Sequence, residues 1–487
     1  MSDLRFNVDV TKASKAAECV VLLAPRKTWN GGWPGSALPK DVAEAARAAA
    51  AGLESGTGGA SAETRVDGRR VVSIVLPDRV SRHNGPARHE TVLGMLRGVR
   101  AKGRVLIVSA LDVPAHDEAV AVAIGRAFPE FDRKTGNAKP TEVDIAATDP
   151  KGRALAFDER TQAIVRGSRW AAELVDTPTA ELHTDTFVAR ARTLLKDLKG
   201  VKITVIEGEA LLKKGLGGIH AVGRAAITPP RMLILEHSPK KARRKVALVG
   251  KGVVYDTGGL SLKPTANMCS MKGDMGGAAA VVAAFDVLVR SGCKEHLFAL
   301  APLAENAIGS RSYRNDDILT MHSGHTVEIN NTDAEGRLLL ADGVSWAARE
   351  LEADVIIDVA TLTGAQLVAT GLRHAAVVSN RAGLEALAVT CGRDTGDLVH
   401  PLPFAPEFYQ AEFNSPVADM RNSVKDRANA QSSCAAQFVW SHIDDVNPHW
   451  LHIDIAGPAW RNERGTGYGV GLLAAIVEEL KPSDLAE

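Results

Sequence analysis

Short apolar runs at residues 201–206, 232–236, 246–250, 296–301, 355–360 and 450–455 alternate with long alanine-rich segments, notably 276–290 and 335–351. Runs this short cannot make helices of useful length, and they read as buried strands. The alanine-rich segments keep apolar residues on a helical period. Strands alternating with helices favour a largely parallel sheet covered on both faces. The second part of the chain is therefore expected to be α/β, with a mixed, largely parallel central sheet under helices.

The first part repeats the alternation on a smaller scale. Residues 19–23, 70–76 and 104–109 read as strands, and 41–51 and 89–100 as helices. The Gly/Ser/Ala-rich stretch 51–61 reads as a loop. Between 144 and 152 periodicity is lost, with Asp149-Pro150-Lys151-Gly152 as a turn. A helix from 159 to 174 follows and stops before Pro178. A chain of 487 residues exceeds one ordinary core. The expected division is a smaller N-terminal α/β domain at 1–158, a linking helix at 159–177 and a C-terminal domain at 178–487.

Composition removes several functional classes. Basic and acidic residues balance at 58 each, so no global field draws in nucleic acid or an anionic membrane. Aromatic residues are only 5%, too few for a base-stacking platform. No apolar stretch reaches the length of a membrane-spanning helix, and the first residues lack a charged-then-apolar leader. The five cysteines are scattered without a CxxC, which argues against a disulfide framework or a thiolate zinc site. A reduced, cytoplasmic protein is expected.

Two segments carry the chemistry. The first, 250–263 (Gly-Lys-Gly-Val-Val-Tyr-Asp-Thr-Gly-Gly-Leu-Ser-Leu-Lys), starts where an apolar strand ends. Its glycines suggest a phosphate loop, but Lys251 is followed by Gly252 rather than Ser or Thr, and no GxGxxG occurs. What remains is two lysines, Lys251 and Lys263, flanking Asp256. Asp274 follows at the start of an alanine-rich helix, where an N-cap is an equally good explanation. The second segment, 330–338, holds Asp333 and Glu335 followed by Arg337. On spacing alone these carboxylates read more readily as an ordinary capped helix start. A zinc-protease HExxH is missing, since His89-Glu90 is followed by Thr91-Val92-Leu93.

Together the two segments are decisive. Asn331-Thr332-Asp333-Ala334-Glu335-Gly336-Arg337-Leu338 matches the signature octapeptide of the leucyl (cytosol) aminopeptidase family without a mismatch. Residues 250–277 resemble that family's lysine- and aspartate-bearing motif, 360–365 its substrate-lining loop, and 454–470 its end. The resemblance covers residues 160–480. It implies two divalent metal ions, Mn²⁺ or Zn²⁺, held by Lys251, Asp256, Asp274, Asp333 and Glu335. It further implies that Lys263 polarises the scissile carbonyl and that Arg337 seats a bicarbonate. Thr361, Leu362, Gly364 and Met271 are implied to line the substrate site, peptides with a free N-terminus to be the substrates, and a homohexamer to be the assembly. Met268, Met271 and Met275 could equally be core on spacing alone. His325 and His452 are expected to be packed or surface residues rather than ligands.

Elementary electrostatics agrees with that ligand set. Two divalent cations carry four positive charges, which four carboxylates balance if Lys251 binds as a neutral amine. Departures occur at Cys269, where many members carry an acidic residue, and at 431–434, where they have a Gly-rich run. With 255–257 and 418–423 they lean toward the probable aminopeptidase-like branch and bear on side-chain preference. Two rivals stand beside this reading. One is a two-metal phosphatase using Lys263 and Arg337 for an anion. The other is a metal-containing scaffold or DNA-binding regulator, for which the basic stretch 240–245 is the feature to inspect.

Overall fold

The computed structural model describes residues 3–100, 103–136 and 141–486. It falls into two compact units: Met1–Arg169 with Gly392–Leu398, and Trp170–Cys391 with Val399–Glu487. The long helix Glu159–Asp176 begins in the first and ends in the second.

The first unit is built on a seven-stranded sheet. Asp3–Phe6, Glu142–Thr148, Arg104–Ala110, Cys19–Pro25 and Arg69–Leu76 run parallel in that order, with Ala60–Val66 antiparallel at the edge. Ala-Leu at 154–155 pairs antiparallel with Glu142–Thr148. Helix Lys40–Ala51 packs Val42, Ala43 and Ala46 with Trp29 and Trp33 into one core, while helices His89–Val99 and Asp117–Ala127 pack on each other.

Two readings of this region need correction. The stretch where periodicity is lost contains an interior strand, Glu142–Thr148. Its Asp144 interrupts the apolar run yet is buried, because Arg5 at 2.8 Å and Arg104 at 3.1 Å bind its two oxygens. The loop expected to 61 gives way to a strand already at Ala60, whose alternating burial marks an edge strand with one wet face.

The second unit carries a nine-stranded mixed sheet. Its centre is parallel: His449–Asp454, Val355–Ala360, Lys245–Gly250 and His296–Asn306, with Gly252–Asp256 extending the pairing along the end of the last. Arg231–His237 and Val201–Glu207 add antiparallel on one side, and Ala375–Ser379 antiparallel on the other. Helix Gly276–Arg290 packs on the central strands together with Val470–Glu479. Helix Gly336–Arg349 packs on the same strands with Gly217–Gly223 and Gln431–Trp440. The central strands are almost wholly buried, as expected for a sheet sandwiched by helices. Among the described residues no helix is long and apolar enough to cross a membrane.

Candidate active site

The central parallel strands bring their carboxyl ends to one edge of the sheet, where open α/β folds bind ligands. Lys251 follows the strand Lys245–Gly250, Asp256 ends Gly252–Asp256, and Thr361 follows Val355–Ala360. Lys251 Nζ lies 2.8 Å from Asp274 Oδ1, 3.0 Å from Glu335 Oε1 and 2.9 Å from the Thr361 carbonyl oxygen. Lys263 Nζ lies 2.8 Å from Asp256 Oδ2 and 2.5 Å from Asp333 Oδ1. Residues far apart in sequence thus form one cluster, in which Lys251, Asp256, Asp274 and Glu335 are buried.

The capping explanations for these carboxylates fail. Helix Gly276–Arg290 is preceded by Met275 and has no side-chain cap, while Asp274 accepts hydrogen bonds from Lys251 and from Thr361 Oγ1 at 2.8 Å. Glu335 occupies the cap position of Gly336–Arg349 but makes no capping bond. Its carboxylate turns to Lys251 instead.

Burial pushes the carboxyls of Asp274, Asp333 and Glu335 above the usual range, and the charge on Asp256 adds to the push. Burial alone would lower the two ammoniums, but the carboxylates outweigh it. Lys251 is raised by Asp274, Glu335 and Asp256, and Lys263 by Asp256 and Glu335. Four carboxyls against two ammoniums crowd acidic groups into a largely buried cluster, and bound cations would favour their ionised forms. Asp256, Asp333 and Glu335 each offer an oxygen, all within 4.8 Å of one another. Glu335 Oε2 is buried with no hydrogen-bond donor. Asp274 Oδ2, although 2.8 Å from Lys251 Nζ, lies off its hydrogen-bonding direction. Converging oxygen acceptors without donors fit divalent cations such as Mn²⁺ or Zn²⁺.

Arg337, in the first turn of helix Gly336–Arg349, is half-buried and donates from Nη1 to the Asn422 carbonyl at 3.0 Å. Its Nε has no acceptor, and burial pulls the guanidinium down to about 10 against the pull of Glu335. A half-buried guanidinium with a spare Nε–H suits a small anion.

Thr361 and Leu362 are half-buried and Gly364 exposed, in the loop tied to the cluster through Thr361. Met271 opens the turn Met271–Gly273 and stays half-buried, whereas Met275 is fully buried and belongs to the core. His452 is buried with Nδ1 2.5 Å from Asp358 Oδ1, and His325 packs against His442; neither joins the cluster.

The model of the cytosol aminopeptidase family, catalytic domain, matches residues 169–474. The chain belongs to this family. It is 47% identical over 409 residues to Probable aminopeptidase NPEPL1 of Mus musculus, covering 82% of this chain and 78% of the relative. Its structure resembles the apo leucyl aminopeptidase of Trypanosoma cruzi, with a TM-score of 0.88, 38% identity and coverage of 99% and 97%. It also resembles the bottromycin maturation enzyme BotP in complex with Mn, with a TM-score of 0.79, 28% identity and coverage of 95% and 99%. The chain is thus a leucyl-type metalloaminopeptidase on the branch of NPEPL1.

Within this cytosol aminopeptidase, three supporting residues had been given no individual role from the sequence. Asn306 donates from Nδ2 to Asp256 Oδ1 at 2.8 Å and to the Thr332 carbonyl at 3.1 Å, joining the two carboxylate-bearing segments. Thr332 Oγ1 donates to the Gly258 carbonyl at 2.6 Å and accepts from Ser261 N at 2.7 Å. Asn422 accepts from Asn330 N and Asn331 N and donates to the Asn331 carbonyl. The available signals were the polar pair Glu305-Asn306 ending a mostly apolar strand and the place of Thr332 inside the octapeptide.

Proposed function

We propose that this cytosol aminopeptidase removes residues from the free N-terminus of peptides with two divalent cations. Lys251, Asp256, Asp274, Asp333 and Glu335 would hold these ions between them. The convergence of these five side chains with Lys263 at the carboxyl ends of the central strands carries the reading. When bound, the cations would supply Lewis acidity, an acidified water and an anchor for the substrate's free amine, and a bicarbonate would supply a proton acceptor.

The chain's own residues do the rest. Lys263 keeps its proton among Asp256 and Asp333 and donates a hydrogen bond to the scissile carbonyl oxygen as charge gathers there, a contact worth roughly 2.7–4 kcal/mol. Arg337 offers its unpaired Nε–H to the bicarbonate and holds it in place. Met271 and the loop Thr361, Leu362 and Gly364 receive the peptide and exclude water around the bond to be cut. The manganese in the BotP complex supports Mn²⁺ as one metal. A homohexamer in the cytoplasm completes the proposal.

The regulator alternative finds no comparable support. Within the basic stretch, Arg244 pairs with Glu295 at 3.0 Å and Lys245 with Glu352 at 2.8 Å, so both are already neutralised. Turnover of a free dipeptide and its N-acetylated form, before and after chelation and Mn²⁺ or Zn²⁺ return, tests the proposal. Activity should vanish with chelation, return with metal and never appear on the blocked substrate. Equal cleavage of the blocked peptide, or full activity without metal, overturns it.

A further inference from the structure

The loop that follows strand Val355–Ala360 is held from below by a single buried carboxylate on the neighbouring strand. Asp454 ends His449–Asp454, pairs in register with Ala360 and is completely buried. Its Oδ1 accepts from Leu362 N at 3.1 Å, Thr363 N at 3.4 Å and Ala456 N at 3.2 Å. Its Oδ2 accepts from Thr363 Oγ1 at 2.6 Å, and that hydroxyl lies 2.7 Å from Ser432 Oγ on helix Gln431–Trp440. Three residues further on, Gly457 N donates to Gln366 Oε1 at 2.6 Å, and Gln366 Nε2 donates to the carbonyls of Gly371 and His374. The segment 454–457 therefore grips both the start of the loop and the short helix Gly364–Ala369 that follows it.

The opposite side of the same loop belongs to the cluster. Thr361 offers its carbonyl to Lys251 and its hydroxyl to Asp274. The Leu362 and Thr363 amides, bonded to a buried carboxylate at 3.1 and 3.4 Å, cannot turn away without leaving that carboxylate short of donors in the interior, so the loop has one backbone course. We propose that Asp454 is a positioning residue: it fixes the backbone of Thr361–Gly364 so that the loop presents one shape to an incoming peptide, and thereby sets substrate affinity rather than metal binding. The kinetic part rests on the aminopeptidase reading above; the loop's rigidity does not.

Asn and Ala at position 454 separate geometry from charge. Asn keeps an oxygen for the three amides and turns an N–H₂ toward Thr363 Oγ1, which can still bond Ser432. Ala removes every tie. Hydrogen–deuterium exchange at the Leu362 and Thr363 amides, metal content per chain and steady-state kinetics on a dipeptide series are measured on the intact protein and on Asp454→Asn, Asp454→Ala and Thr363→Val. Expected are at least tenfold faster exchange at both amides and at least a tenfold higher KM in Asp454→Ala, with metal content unchanged. Asp454→Asn should stay within about threefold of the parent in both measures, and Thr363→Val should fall between them. Thr363→Val keeps the carboxylate and serves as the second reading where Asp454→Ala does not fold. Unchanged exchange in a folded Asp454→Ala overturns the proposal, as does Asp454→Asn as damaged as Asp454→Ala, or lost metal whose replacement restores KM. A parent without peptidase activity but with the expected exchange pattern would sink the functional reading and leave the loop's anchoring intact.

Discussion

The side chain of Lys251 runs directly over Gly336: a Cβ placed on Gly336 would sit 2.4 Å from Lys251 Cε and 2.6 Å from its Nζ. The signature octapeptide therefore has its glycine at a point of side-chain contact. Gly336→Ala should displace the Lys251 ammonium from Asp274 and Glu335 while the helix Gly336–Arg349 still forms, since Ala favours helix. Overpacking of this kind costs about 1–3 kcal/mol. Metal content below that of the parent, with unchanged circular dichroism, is the expected result; full metal content and full activity would contradict the proposed placement of Lys251.

The two lysines should separate cleanly in kinetics. Lys251→Ala removes a proposed ligand and should lower metal occupancy. Lys263→Ala should keep two metals and a near-parental KM while kcat falls by about 10²–10³, because its contact acts in the transition state. Metal analysis and steady-state rates on both variants decide it. A Lys263→Ala protein that loses metal would reverse the assignments.

Asn306→Ala should act through Asp256, whose Oδ1 it steadies at 2.8 Å. Loss of such a support typically weakens metal binding about 10–100-fold. Activity at limiting Mn²⁺ should drop by that factor and return at high Mn²⁺. A defect that excess metal cannot repair would place Asn306 elsewhere in the mechanism.

How far these residues could be read in advance depended on where their partners lie. Lys251, Asp256, Asp333 and Glu335 sit in continuous motifs, so their type and spacing were legible. Asn306 and Asn422 were not, because asparagine is common in turns and their bonding partners lie 26 and 91 residues away. The catalytic unit's central strands were legible as uninterrupted apolar runs. The strand Glu142–Thr148 was hidden by Asp144, whose charge is tolerable because Arg5, from a strand 139 residues earlier, and Arg104 both bind it. Spacing alone left capping open for Asp274 and Glu335 for a related reason: an Asp or Glu before a helix caps it by default, unless a buried cation such as Lys251 competes.

Away from the site, His442 should give the protein a measurable acid sensitivity. It is buried with Nδ1 2.7 Å from Ser323 Oγ, and burial, with His325 and Arg349 adding to it, pulls its pKa down to about 3. In the unfolded chain the imidazole takes its proton near the usual value of about 6.5. Between these two values the unfolded state binds more protons, so stability falls as pH drops below 6.5 and is unaffected by this group above it. Each pH unit in that window costs up to about 1.4 kcal/mol, or roughly 2 kcal/mol between pH 7 and pH 5. Urea midpoints at those two pH values, compared with His442→Gln, should show the parent losing more; equal losses would refute the idea.

The segment Gly392–Leu398 packs with the first unit, where buried Asp397 takes a 2.7 Å bond from Arg126 across 271 residues of chain. On the ribosome that distance becomes time. At about 5–20 residues per second, roughly 15 to 55 s pass between the synthesis of Arg126 and that of Asp397. A nascent chain stalled at residue 200 should accordingly hold a looser first unit than the released protein, measurable by protease sensitivity. The unit that is made first is thus completed late, after most strands of the catalytic sheet have left the ribosome.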